Sequence, residues 1–179
     1  MKKIGFVLLA LCLLLFAASC QGDVKVIEKS GENAAGNDPA GAAEGYVFQT
    51  GDLSIAIDSL AEPVLRALGE PKEYYEAPSC AFEGLDKIYT FEHFEVDCYP
   101  SPEGDRIQTV FLMDDLVATA EGLRIGDDSA RVEALYGKDC SKVGTESVYT
   151  KGGMKMKIMI EDGRVTFITY QSCASDDFE

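Results

Sequence analysis

The chain of 179 residues carries 31 acidic against 16 basic side chains, a formal charge of −15. A surface of that sign repels nucleic acid and anionic lipid headgroups, because every such partner adds like charge. The absence of tryptophan also removes a strong base-stacking side chain, so a nucleic-acid partner is not expected.

The N-terminus reads as an export signal. Lys2 and Lys3 form a basic head, Ile4 to Ala18 is an unbroken apolar run, and small residues lead into Cys20. The run is short for the ~30 Å hydrocarbon core of a bilayer, and no basic stop-transfer flank follows. Ala17-Ala18-Ser19-Cys20 resembles the lipobox of bacterial lipoproteins. That resemblance implies removal of residues 1–19, diacylglyceryl modification of the Cys20 thiol, and a mature chain held extracytoplasmically on the cell membrane by its lipid. Removing the signal takes away two lysines and no acid, so what remains is more acidic still. About 160 residues are left, enough for one domain or two small halves.

Residues 20–45 follow as a lipidated tether. Gly, Ala, Asn, Asp and Glu dominate from Gln21 to Gly45, with few groups to bury beyond Val24, Val26 and Ile27. Such a linker of ~25 residues reaches roughly 25–30 Å.

Two similar units are expected next, 46–115 and 116–174, before an acidic tail at 175–179. Order begins near Tyr46-Val47-Phe48. Leu53, Ile55 and Ile57 alternate with polar or small residues as in a half-buried strand. Ser59 and Glu62 have capping-box spacing, Leu60, Val64, Ala67 and Leu68 share a helical face, and Gly69 with Pro71 ends the helix. Strands are expected at 88–91, 94–99 and 106–113, the last two flanking the turn cluster Pro100 to Gly104. Phe94, Val96 and Cys98 should face inward, leaving Glu95 and Asp97 on a wet acidic face.

Leu123 restarts the pattern. Leu123 and Ile125 stand where Leu53 and Ile55 stood, and Asp128-Ser129 repeats Asp58-Ser59. Asp128 is the expected N-cap of a second short helix that Gly137 closes. Val148-Tyr149-Thr150 echoes Ile88-Tyr89-Thr90, Met156, Ile158 and Ile160 alternate with Lys155, Lys157 and Met159, and Asp162-Gly163 supplies a hairpin turn before Val165. The expectation is an α+β fold: a tandem repeat of strand, short helix and antiparallel meander, forming a mostly antiparallel sheet with the helices on one side.

The Leu68-Gly69-Glu70-Pro71 helix ending, weakly repeated at Tyr136-Gly137, followed each time by a meander, resembles the β-lactamase-inhibitor-protein-like superfamily, which also contains small outer-membrane-assembly lipoproteins. The run Ala77 to Thr90 resembles uncharacterised lipoproteins of Gram-positive bacteria. The first resemblance implies a fold by analogy and the second implies no activity.

Six cysteines are present; Cys12 leaves with the signal and Cys20 is taken by lipid. Cys80, Cys98, Cys140 and Cys173 remain, an even number in an exported chain, where disulfides persist. Of the three possible connectivities, Cys80–Cys98 and Cys140–Cys173 are favoured because each pair lies within one unit. A zinc site is not expected, since there is no Cys-x-x-Cys pair and His93 is the single histidine.

Little else points to chemistry. His93 is the one candidate base for a triad hydrolase and has no Gly-x-Ser-x-Gly elbow beside it. Glu92, Glu95 and Asp97 read as solvated strand acids, and Asp114-Asp115 with Asp127-Asp128 lack the EF-hand pattern. Neither metal nor cofactor is expected, and the chain is read as a non-enzyme. Tyr74, Tyr75, Tyr89 and Tyr99 gather on or near the first meander, and exposed tyrosines are common contact anchors. The expected function is a membrane-anchored, non-catalytic module that binds an envelope or extracellular protein. A structural or envelope-assembly lipoprotein is the alternative, and a hydrolase resting on His93 or Glu95 is third.

Overall fold

The computed structural model describes residues 45–174. The signal, the lipidation site Cys20, the tether short of its last residue and the tail at 175–179 therefore lie outside the described residues. A hairpin of β1 (Val47–Thr50) and β2 (Leu53–Ala56) leads into helix α1 (Ala61–Leu68). Four strands follow: β3 (Glu73–Pro78), β4 (Leu85–Thr90), β5 (Phe94–Tyr99) and β6 (Arg106–Leu112). After helix α2 (Ser129–Tyr136) come β7 (Ser141–Val143), β8 (Glu146–Lys151), β9 (Met154–Glu161) and β10 (Arg164–Ser172).

β3 to β10 form one antiparallel sheet in the order β3-β4-β5-β6-β10-β9-β8-β7, while β1 and β2 pair only with each other. Each half is a meander because its turns are local. Asp162 and Gly163, at φ +51° and +76°, make a turn with both central residues left-handed, the twist that a two-residue hairpin needs. The halves meet where β6 pairs with β10. The α+β expectation holds in this form, a mostly antiparallel sheet with two short helices.

The core lies on one face of that sheet. Phe94, Val96 and Cys98 of β5, Ile107, Val110 and Leu112 of β6, Met156 and Ile158 of β9, and Ile168 and Tyr170 of β10 are buried there. Phe48 and Ile55 of the β1–β2 hairpin, Ala61 and Val64 of α1 and Val132 of α2 belong to the same cluster. Phe48 sits 5.0 Å from the Phe94 ring and 6.1 Å from Tyr170.

Several expectations change. The capping box of the first helix does not form: Leu60 is the N-cap without a side-chain bond, and the Ser59 hydroxyl donates to Ala56 O at 2.7 Å. The first helical N–H, that of Ala61, donates instead to the Asp105 carbonyl at 2.8 Å, so a distant turn satisfies what a local cap was expected to satisfy. Glu62 pairs with Arg66 one turn on. The strand expected at Leu123 and Ile125 is absent; Thr119 and Leu123 close a tight turn, with Thr119 Oγ1 accepting from Leu123 N at 3.0 Å, and Leu123 enters the core from it. β3 and β7 were not foreseen, since neither has an alternating buried pattern; both are edge strands.

The second helix is capped as expected, Asp128 accepting from Ala130 N at 2.9 Å. Asp128→Ala is expected to cost about 1 kcal/mol in urea unfolding, while Asp128→Asn, which keeps an acceptor, costs a few tenths.

Among the described residues no disulfide joins Cys80 to Cys98 or Cys140 to Cys173, which corrects both expected pairings. Cys98 points into the core while Cys80 is exposed in the turn between β3 and β4. Cys140 immediately precedes β7, Cys173 follows β10, and β8 and β9 lie between those strands. Three strand spacings of about 4.8 Å exceed the ~4.4–6.8 Å Cα separation that a disulfide spans.

Candidate functional site

The register carries residues of the opposite, helix-free face into two rows across the sheet. Tyr75, Ile88, Asp97, Thr109, Gln171 and Lys155 are successive cross-strand neighbours from β3 to β9. One step along the strands, Thr90, Glu95, Phe111, Thr169 and Lys157 form the next row. Directly opposed residues of an antiparallel pair share a face, so each row is one strip of surface.

The strip is apolar in the middle. Phe111 of β6 and Phe167 of β10 pack with centroids 4.7 Å apart and planes tilted by 51°. Met159 is opposite Phe167, and Ile88 lies toward the β3 edge. All four are half-buried, and none belongs to the main core or packs against it. No helix or strand among the described residues covers them. Their neighbours bury Thr169 to 5 % exposure, and its Oγ1 has no hydrogen-bond partner.

Charge is divided about that centre. β5 contributes Glu95 and Asp97, with Asp86 on β4, and β9 contributes Lys155 and Lys157. Glu95 accepts from the Thr90 hydroxyl at 2.9 Å. Asp97 Oδ1 and Asp86 Oδ1 are buried without partners. Burial, then the charges of Glu95 and Asp86, push the Asp97 carboxyl from its ordinary value of 3.8 up to about 7. The expected wet acidic face is thus corrected: Asp97 is half-buried among strand neighbours that supply it no donor.

A folded-state pKa above the unfolded one means the folded chain keeps a proton that the unfolded chain has lost. Stability should therefore fall as pH rises from about 4 to about 7 and level off above that. Asp97→Asn is expected to stabilise the protein by about 1–3 kcal/mol at pH 8 and to give no gain near pH 4, read from urea unfolding across that range.

The predicted tyrosines separate. Tyr74 and Tyr75 stand 49 % and 62 % exposed on the edge strand β3. Tyr74 packs against Tyr89 at 5.0 Å and donates to Glu76, the main reason its phenol is held above the ordinary value. Tyr89 is half-buried beside it. Tyr99 is instead buried: its ring stacks on Phe82 at 4.6 Å and its hydroxyl donates to Asp58 at 3.1 Å, so it is committed within the fold. Tyr75 shares the open face with Ile88 and Asp97 and is the tyrosine that joins the candidate site.

Other chemistry resolves locally. His93 Nδ1 lies 2.7 Å from Asp114, whose carboxyl is held low chiefly by that bond and then by the Leu116 N–H. Among the described residues no hydroxyl or thiol is bonded to His93, so the pair orients an imidazole without a nucleophile. Asp127 takes Arg131 and the Arg124 N–H, and Asp128 caps its helix. Among the described residues no three His, Cys, Asp or Glu side chains are placed to hold a metal ion, and no helix is long and apolar enough to cross a membrane. Burial pushes the Cys98 thiol up to about 12, which leaves it protonated and unreactive. A cavity of about 70 Å³ beside Tyr46, Ile57, Asp58 and Met154 is too small for more than water.

Sequence reasoning missed Phe111, Thr169 and Phe167. Alternation with buried neighbours places Phe111 and Thr169 on the outer face, but the face of Phe167 is set by the irregularity between Val165 and Phe167, and the adjacency of all three needs the β6–β10 pairing. No family model, curated protein or solved structure matches this chain.

Proposed function

We propose that this chain is a lipid-anchored extracytoplasmic lipoprotein, tethered at Cys20, whose helix-free sheet face is a non-catalytic protein-binding surface. The observation that carries the reading is the half-buried strip of Ile88, Phe111, Phe167 and Met159, which lies outside the core and has no covering element among the described residues. Apolar surface flanked by charged groups marks interaction sites. The exposed Tyr75 extends it to the β3 edge, where unpaired backbone groups offer further contacts. The anchor rests on the basic head, apolar run and small residues before Cys20.

An internal duplication belongs to the same reading. Entry to α1 uses Asp58 N to Ile107 O, Ile107 N to Ser59 O and Ala61 N to Asp105 O. Entry to α2 uses Gly126 N to Val165 O, Val165 N to Asp127 O and Ser129 N to Gly163 O. The bridges Leu60–Arg106 and Asp128–Arg164 correspond likewise. These equivalences match Ser59 to Asp127 and Ile55 to Leu123, two residues away from the alignment that the sequence motifs suggested.

Fatty-acid labelling of the full chain tests the anchor. Label and membrane association are expected together, and Cys20→Ser should lose both; a wild-type chain without label rejects it. A photo-crosslinker at Phe111 of the anchored protein should give a discrete protein adduct that one at Lys138 does not, and no adduct from Phe111 counts against the binding face.

A further inference from the structure

We infer that the open sheet face docks against the same face of a second copy of this chain, about a two-fold axis that lies parallel to the strands between β6 and β10. The inference rests on the reading of that face as a protein-binding surface and names its occupant. Its basis is the placement of charge. β6 and β10 are the middle strands, β5 lies one strand to one side and β9 one strand to the other. Glu95 is in the row of Lys157, and Asp97 is in the row of Lys155.

A half-turn about an axis along the strands exchanges left for right and keeps height along the strand. It sets Glu95 over Lys157 of the partner subunit and Asp97 over Lys155 of the partner subunit, each twice by symmetry. Thr109 then meets Gln171 of the partner subunit, and the buried, unpartnered Thr169 hydroxyl faces the aromatic centre. A half-turn about an axis across the strands would lay β5 over β5 and set acid against acid. Charge therefore selects one of the two ways of stacking a sheet on its copy, with faces about 10 Å apart and strands within about 30° of aligned. A partner of a different sequence would not require acids and lysines balanced about the mid-line, whereas a two-fold dimer requires a self-complementary patch. The net negative charge of each copy opposes approach, but repulsion between exposed charges is screened beyond about 8 Å at physiological salt, while facing pairs act at contact.

The test uses the full-length lipoprotein in density-matched detergent, measured by sedimentation equilibrium. Wild type is expected to dimerise. Glu95→Lys and Lys157→Glu each set like charges against each other twice, and each should weaken dimerisation at least about tenfold. An equimolar mixture of the two single variants restores both pairs across the interface and should recover the dimer. The double variant should recover it as well, and neither recovery is possible if a substitution has merely unfolded the chain. A monomeric wild type, a dimer indifferent to both reversals, or a mixture that fails to recover would overturn the inference. If wild type is monomeric while the Phe111 crosslinker captures another protein, the second copy is wrong and the binding face stands; if Phe111 captures nothing either, both fall.

Discussion

Phe48→Ala is expected to lower the stability of the folded region by about 3–5 kcal/mol, the largest loss among the substitutions considered. Phe48 is 1 % exposed and comes from the β1–β2 hairpin, which pairs with no strand of the main sheet. The hairpin is therefore held by side-chain packing, with the Phe48 ring wedged between Phe94 of β5 and Tyr170 of β10. Removing it opens a cavity between the sheet and a hairpin whose own strands share no ladder with it, while backbone bonds just beyond β2 hold the layers at their spacing, so collapse can recover little. Urea unfolding followed by circular dichroism measures the loss. Phe48→Leu, which keeps most of the volume, should cost markedly less. A loss under about 1 kcal/mol for the alanine variant would mean that the hairpin does not pack as described.

Gly84→Ala should destabilise by about 2–4 kcal/mol although the residue touches no core side chain. Gly84 ends the turn between β3 and β4 at φ +134°, a conformation nearly closed to L side chains. A methyl group there would stand 2.8 Å and 2.9 Å from two ring carbons of Pro100. The turn cannot swing away freely, because Ser79 N donates to Gly84 O at 3.0 Å and Ser79 Oγ accepts from Phe82 N. The Phe82 ring in that turn lies on Tyr99, so the strain should reach the Tyr99–Asp58 contact near the start of α1. Thermal unfolding distinguishes the causes: in a double-mutant cycle with Pro100→Gly, which removes both ring carbons, part of the loss should be recovered if the overlap dominates and none if backbone strain does.

These two effects differ in how much of them the sequence discloses. Phe48 lies in the apolar run at which order begins, a feature legible in the sequence, although its partners Phe94 and Tyr170 are not. Gly84 sits in an unremarkable loop, and what makes it intolerant is a proline from the β5–β6 turn that the fold brings against it. The same divide runs through the candidate site. The outward direction of Glu95, Asp97, Lys155 and Lys157 is a period-two property of each strand read alone. The burial of Asp97 is not, since it depends on neighbours from β4 and β6.

By itself the sequence determined the local matters: which residues of β5 and β9 alternate toward the core, where Asp128 begins a helix, and where Asp162-Gly163 turns the chain. Each depends on groups a few residues apart, where side-chain period and turn chemistry act without reference to the rest of the molecule. Tertiary structure alone decided that β6 pairs with β10, that the Asp105 carbonyl and not Ser59 satisfies the start of α1, that the thiols lie apart, and that Phe111 meets Phe167 between acids and lysines. Those outcomes depend on contacts between distant segments, whose partners a pattern read along one strand does not specify.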